Sequence, residues 1–295
     1  MENCVTSIYK GKNYLYNLRK QKKKENLELI YQRFIPEGWE ESRNPVSKEV
    51  LEQAMQMGSI MQGVVTKCDA DYNLHIDFGN HITGVIPREE VEAVKIGEEG
   101  IPNPNICMSK VNQYVQFKVK EIKEDDCYIL SRKEVGNEAL KWINGELQEG
   151  QMVSGIVRSI RQYGAFVEIG GGIVGLLHIE DISVARIKSP FERLKIGQKA
   201  NFVIKLIDRG TNRILLSYKE LLGSWEENVK KFEEGATVVG IARETEKSNN
   251  GIFVELTPNL VGLAEYKEGI HYGQDVNVYI KRIIPEKKKV KLIIV

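Results

Sequence analysis

Apolar residues in this chain fall into short alternating runs bounded by Gly, Asn or Asp, without long stretches of helical period, a pattern that predicts small all-β units. It is clearest over 151–220, where five strands are predicted at 151–160, 164–169, 173–178, 199–207 and 213–217. Successive strand side chains face opposite sides of a sheet, so if Val167 and Ile169 point into a core, Phe166 and Glu168 point out. The run Gly170-Gly171-Gly172 reads as the turn to the next strand. It lacks the strand-to-helix setting of a nucleotide cradle.

The pattern recurs along the chain. Each of three segments opens with a glycine inside an apolar strand, Gly63 in MQGVV, Gly155 in VSGIV and Gly240 in VVGIA. Each then has a glycine closing a later apolar run, Gly84 in TGVIP, Gly175 in VGLLH and Gly262 in VGLAE. The first two end alike, in LSRKE at 130–134 and LSYKE at 216–220, whereas the third ends in KVKLIIV. Tandem small barrels follow from this self-similarity. A five-stranded Greek-key barrel is the OB-fold, whose ligand face lies on its second and third strands.

The connectors read as helices. Over 47–57, Val50, Leu51, Ala54 and Met55 share a face and Ser47 is a predicted N-cap. Helix is also expected over 138–147 and 220–232, with Trp142 and Trp225 packed against a neighbouring barrel. The basic run Arg19-Lys20-Gln21-Lys22-Lys23-Lys24 reads first as a solvated face or arm, and an RNA or ribosome contact second.

Composition narrows the class. With 42% hydrophobic and 28% charged residues, the 295-residue chain is ordinary for a soluble protein of two or three small domains. No window approaches the roughly 18 apolar residues that span a bilayer, and no secretory leader is evident, so a cytoplasmic, membrane-free location is expected. Cys4, Cys68, Cys107 and Cys127 are too dispersed for a zinc knuckle or a disulfide framework, and neither metal nor cofactor is implied. The formal charge is +1, but its distribution is uneven. Residues 151–220 hold eleven Lys and Arg against six Asp and Glu, a net of +5; residues 58–135 hold nine against thirteen, a net of −4; residues 221–295 balance at eleven each. A polyanion would be drawn to the middle segment.

The same segment carries the candidate chemistry. An outward Phe166 beside Tyr163, His178 and Arg161 is a surface on which single-stranded bases can stack while cations follow the phosphates. Here the chain resembles a known family. A Gly in the first strand, Tyr-Gly-Ala-Phe-Val, a Gly-rich turn, Gly-Leu-Leu-His-Ile, Leu-Lys-Ile-Gly, an Asp followed by an Arg, and Leu-Ser-Tyr-Lys together resemble the S-one repeat. That repeat is the RNA-binding module first described in the largest protein of the bacterial small ribosomal subunit.

The resemblance covers 150–220 nearly without a gap and is weaker on either side. It implies an all-β chain of three tandem OB-fold barrels: an N-terminal extension, partly helical, over 1–57; a divergent first repeat over 58–135; a helical connector over 136–150; the well-matched second repeat over 151–220; a connector over 221–233; and a divergent third repeat over 234–295. It also implies that Tyr163 and Phe166 stack on bases, that His178 stacks or donates, and that Asp208 and Arg213 bracket the last turn as RNA contacts.

The outer repeats depart from this pattern. In the first, Tyr72 aligns with Tyr163, but Asn73-Leu74-His75 replaces Gly-Ala-Phe and Pro87 stands in place of His178. The stretch Gly97–Asn105 reads as a long loop. In the third, Phe253 is kept, while Asn250 and Glu265 replace the tyrosine and histidine. Tyr72, His75, Phe253, Lys281 and Arg282 are therefore secondary RNA-binding candidates, and 285–289 is first of all a turn.

The expected function is non-catalytic binding of single-stranded RNA, mRNA or other, in translation or on the ribosome, mainly through the second repeat. The alternative is an adaptor whose barrels dock on ribosomal or other RNA-machinery proteins. An enzyme is not expected, since the sequence holds no phosphate loop, no His-Glu-x-x-His pair and no Gly-x-Ser-x-Gly elbow.

Overall fold

The computed structural model describes residues 33–40, 46–93, 101–123, 127–244 and 251–295. The basic run 19–24, Cys4, Asn250 and the 97–100 part of the long loop lie outside them.

Among the described residues the strands close into three five-stranded barrels in tandem, each an OB-fold with the same order, first-second-third-fifth-fourth. Helix α1 (Lys48–Met57) leads into the first, made of β1 (Met61–Cys68), β2 (Leu74–Gly79), β3 (Ile82–Ile86), β4 (Tyr114–Ile122) and β5 (Cys127–Ser131), with the short α2 (Pro104–Met108) before β4. Helix α3 (Arg132–Gly145) follows, then β6 (Met152–Arg161), β7 (Gly164–Gly170), β8 (Ile173–His178), β9 (Lys199–Asp208) and β10 (Arg213–Ser217). Helix α4 (Trp225–Val229) precedes β11 (Thr237–Glu244), β12 (Ile252–Thr257), β13 (Leu260–Ala264), β14 (Asp275–Ile284) and β15 (Lys289–Ile294). The third and fifth strands pair parallel in every barrel, as Leu215 beside Leu176 illustrates in the middle one.

The connectors differ from the helices predicted. The helix predicted at 138–147 begins six residues early, at Arg132, because Ser131 ends β5 and caps the helix by accepting from Glu134 N at 3.0 Å. The run 220–232 is not one helix. Gly223, at φ +87, breaks it into a 3₁₀ turn (Lys219–Leu222) and α4, which Ser224 and Glu227 start with a capping box. Ser47 holds the cap position of α1 but its side chain makes no cap bond. Trp142 is buried against Phe34 at 5.8 Å between ring centroids, and Trp225 packs half-buried on the third barrel's core.

The described residues form two compact units. One takes everything described up to Ile156 with 168–175 and 208–212; the other takes 157–167, 176–207 and 213–295. In the first unit a segment at 34–38 is held by a buried ion cluster. Both Glu37 oxygens receive the Arg132 guanidinium, at 2.7 and 3.0 Å, and Glu37 also accepts from Gln116 N at 2.9 Å. The same guanidinium reaches Glu92 at 2.7 Å and the Val91 carbonyl at 2.9 Å. Burial would raise the Glu37 carboxyl, but the Arg132 charge and these hydrogen bonds outweigh it and hold it down at about 2.

Glu168 corrects the simple alternation. It leaves the barrel core as predicted, yet it is 2% exposed, because Glu37 N at 2.9 Å, Gly170 N at 3.1 Å and Gly172 N at 3.3 Å all donate to it. The glycine turn makes this fit possible. Gly170, Gly171 and Gly172 all have positive φ, and a Cβ on Gly172 would run into the Arg132 guanidinium.

In the second unit, polar side chains clasp the segment between β8 and β9 to the third barrel. Arg243 bridges Glu192 and Glu255 at 2.5 Å each, and Arg193 joins Glu255. The Tyr272 hydroxyl accepts from Lys188 N and donates to Glu192, both at 2.9 Å. Asn259 adds bonds to the carbonyls of Lys219 and Gly223 and to Val184 N.

Candidate nucleic-acid interface

Alternation along β7 sends Ala165, Val167 and Ile169 inward, all fully buried, and turns Phe166 outward. Tyr163, in the turn before β7, is 51% exposed, and its ring meets Phe166 edge to face, 6.2 Å between centroids at 87°. Rings at that angle present their π-faces in different directions. They can serve two bases better than they can sandwich one.

His178 ends β8 beside them. Ile179 N donates to the Tyr163 carbonyl at 2.9 Å, and Gly164 packs so closely that a Cβ there would strike the Leu177 carbonyl and crowd the His178 Cα. The imidazole is 43% exposed, with Nδ1 accepting weakly from Glu180 N at 3.4 Å. That leaves the Nε2–H to donate outward. Arg161, exposed at the end of β6, completes this group.

The remaining two candidates sit differently. Arg213 is exposed at the start of β10, two residues before Leu215, which lies beside Leu176 in the parallel register. It is thus four residues, about 13 Å, from the level of His178 along the same outer face. Asp208 is drawn into its own turn, accepting from Gly210 N at 3.0 Å, Thr211 N at 3.2 Å and the Thr211 hydroxyl at 2.5 Å. Its evident work is shaping the β9–β10 turn.

In the first barrel the candidate side chains already have protein partners. The Arg88 guanidinium lies 5.1 Å over the Tyr72 ring. His75 Nε2 is 2.9 Å from Asp69, whose carboxyl is lowered to about 2 by that bond and by Asn73 and Asp71. The third barrel is more open. Phe253 pairs with Leu263, Leu263 with Lys291 and Lys291 with Arg282, all four on the outer surface, so an apolar pair abuts two cations in one cross-strand row. Lys281 is exposed beside that row. Lys291 was not singled out from the sequence, because the cross-strand register that brings it to Phe253 is not written in local spacing.

Among the described residues no helix is long and apolar enough to cross a membrane. The family model of the S1 RNA binding domain matches residues 55–133 and 146–219, more than half of the chain. The chain belongs to the S1 RNA-binding domain family. The two matched stretches coincide with the first and middle barrels.

Among relatives, the small ribosomal subunit protein bS1 of Staphylococcus aureus (strain COL) is 37% identical over 197 residues, covering 61% of this chain and 50% of that protein. The bS1 of Rhizobium meliloti (strain 1021) is 29% identical over 273 residues, 86% of this chain and 45% of the relative. The chain thus spans about half the length of these relatives. A multidomain protein with nucleic acid binding domains from Streptococcus pneumoniae is 14% identical over 80% of this chain and 73% of its own, with a TM-score of 0.23, too low to add to the case.

Proposed function

We propose that this S1-family chain binds single-stranded RNA without catalysing a reaction on it, in the cytoplasm and in connection with translation, and that the middle barrel carries the binding. The observation that carries the reading is the exposed Tyr163 ring set against the outward, half-buried Phe166 beside His178 and Arg161, in the segment with a net charge of +5. Bases stack on the two rings, His178 Nε2 donates to a base edge or phosphate, and Arg161 and Arg213 follow the backbone. Sequence preference is slight, because every base has a π-face. The names of the bS1 relatives support a place on or near the small ribosomal subunit.

A second reading, docking on a protein of the RNA machinery, is favoured for the first barrel alone. Its net charge is −4 and its Tyr72 and His75 are already partnered. The third barrel, with Phe253, Lys281, Arg282 and Lys291 outward, assists in RNA binding.

Fluorescence anisotropy of a labelled oligouridylate against the intact chain tests the proposal. Binding is expected, with log affinity falling against log salt at a slope of about −2, as for some three phosphate contacts on a single strand. No binding at low salt, or a slope near zero, contradicts it.

A further inference from the structure

The segment joining β8 to β9 leaves the barrel at His178 and returns at Lys199, and topology fixes where it lies. β6 ends, β7 begins and β8 ends at one rim of the middle barrel, while the backbone pairs Gly197 N to Val157 O (2.8 Å) and Val157 N to Gln198 O (3.0 Å) bring the start of β9 alongside the middle of β6, four residues before Arg161. Residues 179–198 therefore set out from the rim that carries Arg161, Tyr163 and His178 and return beside the middle of β6.

This segment is rigid and holds an aromatic ring out to solvent. Ser189 and Glu192 form a capping box around the 3₁₀ turn Pro190–Glu192, with Pro190 and Leu194 buried beneath it. Arg243 and Tyr272 grip Glu192, and Arg193 joins Glu255, so the backbone is anchored on both sides. Phe191, between the anchors, is 60% exposed, more than Tyr163. Cations surround it in sequence. From 184 to 199 there are five, Arg186, Lys188, Arg193, Lys195 and Lys199, against the single acid Glu192, a net of +4. A fixed, exposed ring among positive charges suits a stacked base with its phosphates, since little entropy is lost on ordering it.

We infer that Phe191, with Lys195, is a further base-stacking subsite for single-stranded RNA, extending the strand's path beyond Tyr163 and His178 onto the segment that leaves their rim. This rests on the RNA-binding reading of the middle barrel. The occupant follows from charge: an acidic or apolar peptide would not need a flat ring framed by cations, whereas a polynucleotide uses both.

Phe191→Ala and Phe191→Trp, compared with the parent on labelled oligouridylates of about 6 and about 16 nucleotides, test the inference. The alanine variant is expected to weaken the longer RNA about five- to tenfold and leave the shorter one within twofold, while tryptophan keeps parental affinity on both. Circular dichroism should be unchanged, because the ring is exposed. Equal affinity of parent and Phe191→Ala for the longer RNA overturns the subsite while leaving the barrel reading intact. A parent that binds neither RNA overturns both.

Discussion

Arg132→Met is expected to destabilise the first barrel and its attached segments by about 3–5 kcal/mol, the usual cost of leaving a buried charge without its partner. Arg132 and Glu37 are both 3% exposed, and Arg132 also neutralises Glu92. Its removal strands the Glu37 carboxylate in a site built for a cation. The double variant Glu37→Gln with Arg132→Met should recover at least half of the loss, since the neutral amide no longer needs a counter-charge. Urea denaturation followed by tryptophan fluorescence reads this, with Trp142 reporting from beside Phe34. The same pair sets an acid limit. Glu37 is lowered from 4.5 to about 2 on folding, so its contribution, on the order of 3 kcal/mol, is present above pH 4.5 and is lost as pH falls toward 2. A single Arg132→Met variant within about 1 kcal/mol of the parent would show that the cluster contributes specificity of arrangement rather than stability.

Replacing both aromatics, Tyr163→Ala with Phe166→Ala, is expected to lower oligouridylate affinity at least about 30-fold. Each stacked base contributes roughly 1–3 kcal/mol, so two rings give at least about 2 kcal/mol. Neither ring belongs to the barrel core, which Ala165, Val167 and Ile169 fill from the same strand. Folding should therefore survive, and the loss should appear in affinity with the salt slope retained, because the cations Arg161 and Arg213, proposed to follow the phosphates, remain. Loss of the slope together with the affinity would mean that the rings position the cations rather than hold bases. Affinity equal to the parent's would remove the middle barrel face from the account.

Much of the architecture was legible because strand alternation and glycine spacing are local. The five middle strands were placed within a residue or so of where they lie, and the repeat pointed to two further barrels. The outward turn of Phe166 followed from the burial of its neighbours. What local pattern cannot convey is who covers an outward face. Glu168 alternates outward yet is buried, because a segment 131 residues earlier in the chain donates to it. Helix limits were missed where one residue decides them, the Ser131 side chain starting α3 early and the Gly223 backbone, at positive φ, splitting the later connector. The resemblance marked Asp208 only as a residue bracketing the last turn, whereas the bonds it accepts from Gly210 N and the Thr211 hydroxyl, which shape that turn, emerge only in three dimensions. Lys291 joins Phe253 through register, and the segment carrying Phe191 leaves the rim at His178 through topology. Neither is visible from spacing, although Ser189 and Glu192 already spelled the capping box that fixes Phe191.

Photo-cross-linking of a 4-thiouridine oligonucleotide to the intact chain, with the attached tryptic peptide read by mass spectrometry, tests the assignment to the middle barrel most directly. Tyr163, Phe166 and His178 all lie in the single tryptic peptide 162–186, between Arg161 and the cleavage after Arg186. That peptide is expected to carry the dominant cross-link. Cross-links confined to peptides of the first or third barrel, with 162–186 unmodified, would contradict it.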